Sequence, residues 1–406
     1  MFVGPFGLAP KGTMSVRALP LAKALAKRGH SVTMLLPPWD DPARSGSTWT
    51  EDGVSIVHIK LPYRFPIFFE LSATYSLVRY IVSRSPDVVH LFKPKAYSGL
   101  AHLSLWCMGR IKRLSHPLVV DADDWEHAWN EVLPYKWHYK KLFAWQEDWG
   151  LRAADAVTVA SRVLAGLAIE LRQGAGEAVY YLPNGCRTVT AGSSAASPHA
   201  NFARWQSDNV PIVLLYSRFL EFRLERIVDQ VRMVSERLPQ ARWLIVGEGL
   251  YGEHRRLAEQ ISAAGLDGFV HFAGWVPADQ LDTYFSLAGA AIFPYDDNLI
   301  NRTKCSVKLT DLLASGVPVV ADAVGQNCEY IANGISGQLV EPEDDVGMAN
   351  MVVQLLSNPE AARAMGRNAR SAMIENFNWD NLSQIAEQTY TEAIMALKNR
   401  EHKMRK

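Results

Sequence analysis

The sequence predicts an α/β protein built of two doubly wound domains, and three observations carry that prediction. Short apolar runs alternate with stretches of helical periodicity along the chain, the alternation comes in two series, and a stretch of different composition separates them. Strand and helix in alternation imply parallel sheets covered by helices on both faces. The separating stretch, "TVTAGSSAASPHANFA" (188–203), is Ser/Ala-rich, nearly uncharged and aperiodic, and reads as a linker.

The first series holds the runs "MFVGPF", "HSVTMLL", "VSIVHI", "DVVHLF", "PLVVDAD", "AVTVAS" and "AVYYLP". Between the first two lies "SVRALPLAKALAKRG", with helical spacing and a Gly stop; Pro20 near its start marks a kink or a late first turn. The second series holds "PIVLLYS", "RWLIVGEG", "FVHFAGW", "AAIFPY" and "VPVVADA". Before the last of these, "VKLTDLLASG" places Leu309, Leu312 and Leu313 at helical spacing and stops at Gly316. The expected division is a first domain over 1–190, a linker over 191–205, a second domain over 206–378, and a C-terminal helix over 379–406 that could pack back on the first domain.

Composition bounds the function. The 406 residues suffice for two ordinary domains, and 48% hydrophobic with 21% charged side chains is globular. A net charge of +0 gives a nucleic-acid role no global electrostatic support. The halves differ: residues 1–192 hold 22 basic against 16 acidic side chains, and the remainder 20 against 26. A basic first half suits an anionic partner such as a membrane surface or a phosphorylated acceptor, or is ordinary surface variation. Cys107, Cys186, Cys305 and Cys328 are scattered, which points to neither a zinc site nor a disulfide framework and fits a reducing cytoplasm. No signal peptide is visible, and no window reaches the roughly 18 apolar residues of a membrane span; "FPIFFELSATYSLVRYIV" (65–82) is broken by Glu70 and Arg79.

In open α/β sheets ligands bind beyond the carboxyl ends of the strands, so the loops there carry the chemistry. After the first run, "GPFGLAPKGTMSVRA" has Gly4, Gly7 and Gly12 out of step with a dinucleotide fingerprint and lacks a Walker ending. Gly12 and Thr13, opening a helix, could still bring backbone N–H groups against an anion. "VVDADDWEHAW" (119–129) sets Asp121, Asp123, Asp124 and Glu126 past a buried strand, either as tuned or metal-binding carboxylates or as exposed capping acids. In the second series Arg218 and Arg223 flank a strand-to-helix loop, Gly247 and Gly249 permit a tight turn, and Trp275 or the backbone of Val276 could face a base. Arg302, Lys304 and Lys308 crowd a helix start, where the helix dipole disfavours cations unless an anion binds. Two arginines, a glycine turn and a cation-rich helix start on one sheet edge are the apparatus of a pyrophosphate site, with the helix near Ser306 receiving the diphosphate.

In this order and spacing the residues resemble the retaining glycosyltransferases of family 4, whose GT-B fold is two Rossmann-like doubly wound domains facing across a cleft. The resemblance rests on "GPFGLAPKGTMSVRALPLAKALAKRGHSVTMLLP", "YYLPNGCR", "SRFLEFR", "VGEG", "FAGWV" and "LLASGVPVVADAVGQNCEYIANGISGQLV", and covers nearly the whole chain. It implies Arg218 and Arg223 on the donor diphosphate, the backbone near Val276 on the base, Asp311 on the ribose, and Gly12 and Thr13 approaching the diphosphate from the first domain. Asp123–Asp124 stand where the family has its His-Asp pair, which makes Asp124, with Arg218 and Arg223, a catalytic candidate and Asp123 a substrate contact. The first Glu of the family's E-x7-E signature falls on Thr303, and the following Phe-Gly on Cys305–Ser306. Lys304 with backbone amides, or Asp296 and Asp297, would then take over the donor-sugar contacts. The implied activity is transfer of a hexose from a nucleotide-diphosphate sugar to a glycan, lipid-linked or small-molecule acceptor. Side-chain cations do the charge work, with no metal or other cofactor, no nucleic acid, and a possible peripheral membrane contact. A nucleotide-sugar epimerase of the same fold is one alternative, and a silent nucleotide-sugar-binding protein, motivated by Thr303, is another.

Overall fold

The computed structural model describes residues 1–9, 12–62, 68–112, 115–173, 178–187, 205 and 208–405. The predicted linker, apart from Trp205, lies outside the described residues. The chain divides into two compact units: one of Met1–Asn184, Thr303–Cys305 and Trp379–Lys406, the other of Gly185–Arg302 and Ser306–Asn378.

The first unit is built on strands β1 (Phe2–Val3), β2 (Val32–Leu36), β3 (Thr48–Glu51), β4 (Val54–His58), β5 (Val89–Phe92), β6 (Leu118–Ala122), β7 (Ala156–Val159) and β8 (Val179–Tyr181). Their order is β3-β4-β2-β1-β5-β6-β7-β8, parallel except for β3, which runs antiparallel to β4. Strands β5, β6 and β7 are buried along their whole length, as central parallel strands must be. Strand β3, "TWTE", instead alternates exposed and half-buried residues at the sheet edge. The helix after β1 opens with wide π-type turns over Met14–Ala18 and continues regularly over Leu19–Lys27, with Pro20 harmless in its first turn. That helix lies close on the sheet at Gly4, where a Cβ would meet the Met14 sulfur at 2.6 Å and Leu36 at 2.8 Å. The helix Trp379–Arg405 belongs to this unit and sets Leu382 and Ala386 into its core.

The second unit is built on β9 (Ile212–Tyr216), β10 (Arg242–Val246), β11 (Val270–Gly274), β12 (Ala290–Phe293), β13 (Val319–Asp322) and β14 (Gln338–Val340). They form a fully parallel sheet in the order β11-β10-β9-β12-β13-β14. Helix Leu224–Arg237 buries Ile227, Val231 and Val234 on it, around the fully buried Trp243. In each sheet the strand order reverses beside the first strand of the unit, between β1 and β5 and between β9 and β12. A crevice for ligands opens beyond the carboxyl ends of the strands at such a reversal.

Candidate functional site

In the first unit the strand-end loops carry a buried ionic cluster. Arg17, on the π-type turns, donates through Nε and Nη2 to both oxygens of Asp121 at 2.7 and 2.6 Å, through Nη1 to Asn184 Oδ1 at 3.0 Å, and through Nη2 to the Leu182 carbonyl. Burial pushes the Asp121 carboxyl up, but Arg17 and the Thr158 hydroxyl outweigh it and hold it below the usual carboxylate range. Thr158 donates to Asp121 at 2.6 Å, so the proton on His90 Nε2 points to Thr158 and Tyr390 OH donates to His90 Nδ1. Burial keeps that imidazole neutral, its pKa lowered to about 3.

Next to this pair, Lys93 leaves β5 with φ +53° and reaches Asp123 at 2.9 Å, Asp124 at 3.1 Å and Glu126 at 3.2 Å. Lys95 completes the pairing of Glu126. Thr13 donates to Asp123 Oδ2 at 2.9 Å, which brings two of the sequence-predicted residues together. Burial raises the Asp123 carboxyl despite Lys93; Asp124 is half-buried, and Lys93 and Lys304 hold its carboxyl low against desolvation. These acids are thus ion-paired within the unit, unlike the exposed capping residues of one sequence reading. The cap is Glu147, which accepts from Glu126 N and His127 N at 2.8 and 3.0 Å. Thr303–Cys305 also belong here: Ser161 donates to the Thr303 carbonyl at 2.8 Å, Asn184 N to the Cys305 sulfur at 3.2 Å, and Lys304 lies 5.7 Å from the Trp129 ring centroid. Thr303 is buried.

The second unit presents a different edge. After β9 the chain turns tightly: Phe219 sits at φ +62° and donates from its backbone N to Ser217 Oγ at 2.8 Å. Arg218 projects from this turn, exposed and without an ion pair among the described residues. Gly247, at φ +121°, closes on the same turn, since a Cβ there would stand 2.0 Å from the Ser217 carbonyl oxygen. The tight turn expected at this glycine is therefore present, and loop packing itself requires the glycine. Arg223 opens the helix Leu224–Arg237, donating its backbone N to Asp296 Oδ2 at 2.9 Å and its guanidinium to Glu343 at 3.1 Å. Trp275 is 69% exposed and Val276 is buried.

The three cations of the 302–308 stretch part company. Arg302 forks onto Asp297 at 2.5 and 2.7 Å, and Lys304 goes with the first unit. Only Lys308 stays at the start of helix Val307–Ala314, 3.6 Å from the Tyr216 ring centroid. The N-cap Ser306 makes no side-chain cap and no acidic residue occupies the first turn, so that terminus keeps its anion-attracting character. Asp296 and Asp297, offered by the sequence as sugar contacts, are taken up by Arg223, Arg226 and Arg302. Asp311 is buried, with Arg187 Nε at 3.3 Å. Burial pushes its carboxyl up to about 6, against Arg187 and Lys308.

Sequence reasoning missed Lys93, Arg17, Arg187 and the Arg226–Asp322 pair. Lys93 had a signal, a lysine at the end of a buried run beside the reversal of strand order; the others depend on long-range contacts. Among the described residues no cluster of His, Cys, Asp and Glu is arranged to hold a metal ion, and no helix is long and apolar enough to cross a membrane.

Comparison with known proteins gives two family matches, a glycosyl transferase 4-like domain over residues 12–185 and glycosyl transferases group 1 over residues 210–358. Among curated proteins, the GDP-mannose-dependent alpha-(1-6)-phosphatidylinositol monomannoside mannosyltransferase of Mycolicibacterium smegmatis is 27% identical over 56% of this chain and 59% of its own. N-acetyl-alpha-D-glucosaminyl L-malate synthase of Bacillus anthracis is 25% identical over 48% of each. The matched region thus spans about half the length of these relatives. Among solved structures, sucrose-phosphate synthase of Thermosynechococcus elongatus superposes with a TM-score of 0.70 at 21% identity, over 98% of this chain and 100% of that one. HepE of Anabaena, in complex with UDP and glucose, gives 0.66 at 17% identity over 96% and 98%.

Proposed function

The chain belongs to the family 4 glycosyltransferases, of GT-B fold, and on that premise we propose that it moves a hexose from a nucleoside-diphosphate sugar to an acceptor with retention of configuration. The observation that carries this reading is the cationic edge of the second unit. Arg218 is exposed without a carboxylate partner among the described residues, and Lys308 lies at a helix terminus with no acidic residue in its first turn. As the glycosidic bond breaks, charge develops on the diphosphate, and preorganised cations and helix N–H groups stabilise it. Trp275 offers an exposed ring to the base, and Asp311 accepts from the ribose. In the first unit Asp123 and Asp124 are held by Lys93, which makes them weak nucleophiles and supports attack by the acceptor on the leaving-group face. Relatives acting from GDP-mannose and structures holding UDP support a nucleotide-sugar donor without choosing its base.

The test is titration with UDP, GDP and ADP, followed by incubation with the matching nucleotide sugars and a glycan, lipid-linked or small-molecule acceptor. Nucleotide binding with release of free nucleoside diphosphate and an anomerically retained product is the expected outcome. An epimerised donor would replace this reading with the epimerase, and binding without turnover of any donor would replace it with the silent partner.

A further inference from the structure

We propose that Arg187 is a positioning residue of the donor site, holding the Asp311 carboxylate where it accepts the ribose hydroxyls of the nucleotide. The proposal rests on the reading above that Asp311 meets the ribose. Arg187 follows β8 at the start of the second unit, and Asp311 lies on helix Val307–Ala314. Its Nε stands 3.3 Å from Asp311 Oδ1. The rest of the guanidinium is fixed from the far side. It pairs with Asp282 on helix Leu281–Phe285, donates to the Ala278 carbonyl at 3.4 Å and to Ser315 Oγ at 3.5 Å, and lies 5.9 Å from the Phe285 ring centroid. Ser315 in turn donates to Asp282 at 3.1 Å. The arginine therefore bridges two helices, with its Nε, which makes no hydrogen bond, held at ion-pair distance from the Asp311 carboxylate.

The groups that face Asp311 come from four elements. Arg187 and Cys186 lie on the segment after β8, Lys308 on its own helix, Asp282 on helix Leu281–Phe285, and Tyr216 at the end of β9. The only cations among them are Arg187 and Lys308, and Lys308 is drawn over the Tyr216 ring. An aspartate also reaches one methylene less than the glutamate usual at this position, so its placement depends more on what fixes it. Removing Arg187 takes away the larger of the two charges that oppose burial, the other being Lys308, and raises the carboxyl pKa further above about 6. The group then loses its character as an ionised double acceptor.

Calorimetry with UDP and 2′-deoxy-UDP, and with GDP and 2′-deoxy-GDP, tests this. The preferred ribonucleotide should bind the wild type about tenfold more tightly than its deoxy form, the scale of one charged hydrogen bond. Arg187→Ala should abolish most of that discrimination and move the pH dependence of ribonucleotide binding upward, while Arg187→Lys restores part of it. Asp311→Asn marks the floor. If Asp311→Asn keeps the discrimination, the ribose role of Asp311 is wrong and the proposal falls with it. If Asp311→Asn loses it while Arg187→Ala keeps it, Asp311 meets the ribose without help and Arg187 is only structural. Should Arg187→Ala fail to fold, Arg187→Lys decides by the same ratio: wild-type discrimination at an unshifted pH profile overturns the proposal.

Discussion

The two units use the same internal tie and differ in what surrounds it. In the first, Arg17 from the helix after β1 reaches across β5 to Asp121 at the end of β6. In the second, Arg226 from the helix after β9 reaches across β12 to Asp322 at the end of β13, at 3.0 and 3.1 Å. Each arginine is buried and each aspartate fully so. Beside Arg17–Asp121 the loops add carboxylates and spend Lys93 and Lys95 on them. Beside Arg226–Asp322 the loops add Arg218, exposed and without an ion pair among the described residues, and helix Val307–Ala314 adds Lys308 beside the Tyr216 ring and Asp311. The tie therefore belongs to the fold, and the loops around it differ: the first unit spends Lys93 and Lys95 on added carboxylates, whereas the second leaves Arg218 exposed without an ion pair among the described residues.

The largest effects should come from cutting the ties. Replacing Arg17 or Arg226 by Ala leaves a buried carboxylate unpaired and should cost roughly 3–5 kcal/mol of stability, read from denaturant midpoints. The two ties differ in acid. Asp121 is held below the ordinary carboxylate range, so its contribution is present above that range and is lost as pH falls through the depressed value. Asp322 goes the other way: burial outweighs Arg226 and raises it, so folding takes up a proton there and stability falls as pH rises through the raised value. Asp121→Asn should thus flatten the acid limb of the stability curve and Asp322→Asn should not. Equal pH responses would break the distinction.

The next effect is on binding alone. Arg218→Ala should weaken nucleoside-diphosphate binding by roughly 1.5–3 kcal/mol, the scale of a hydrogen bond to a charged group, without moving the denaturant midpoint. Unchanged affinity by calorimetry would mean the exposed edge is not the diphosphate site. EDTA should leave turnover intact if side-chain cations do the charge work; loss restored by magnesium or manganese would overturn that.

Much of this was legible in the sequence. The runs of each series became strands because central parallel strands are continuous apolar stretches. Strands β3 and β14 escaped notice: "TWTE" is a half-exposed edge and Gln338–Val340 is short and partly buried. Local cues placed Arg218, Gly247 and Trp275 on strand-end loops and Lys308 at a helix start. They did not reveal that Arg302 folds onto Asp297, because that depends on which way an exposed side chain turns. Nor did they show Thr303 as buried. Its side chain is small, so Thr303→Ala should cost only about 1 kcal/mol of stability with little change in turnover. Thr303→Glu would force a carboxylate into a buried position and should lower the melting temperature. An active, stable Thr303→Glu would show that this position opens to solvent or donor.

The smallest expected effect concerns the surface of the first unit. Helix Trp137–Ala153 exposes Trp137, Tyr139, Leu142 and Trp145, with Lys141 placed 5.3 Å from the Trp137 ring centroid. Helix Phe68–Arg84 exposes Phe68, Leu71 and Tyr75 at helical spacing. Lysines interleaved with amphipathic rings suit a headgroup interface, where the rings sit at the boundary and the ammonium groups meet anionic lipid. Each such lysine near an anionic surface contributes about 1 kcal/mol, which salt screens. Binding should therefore be weak, reversible and salt-sensitive. Flotation with vesicles containing phosphatidylserine should carry part of the protein upward at low salt and little of it at high salt. Trp137→Ala combined with Lys140→Ala and Lys141→Ala should abolish the floating fraction while leaving nucleotide binding unchanged. If the wild type does not float, or floats equally with neutral vesicles, the aromatic-basic helix is a solvated face. The contrast between the units would then be confined to their strand-end loops.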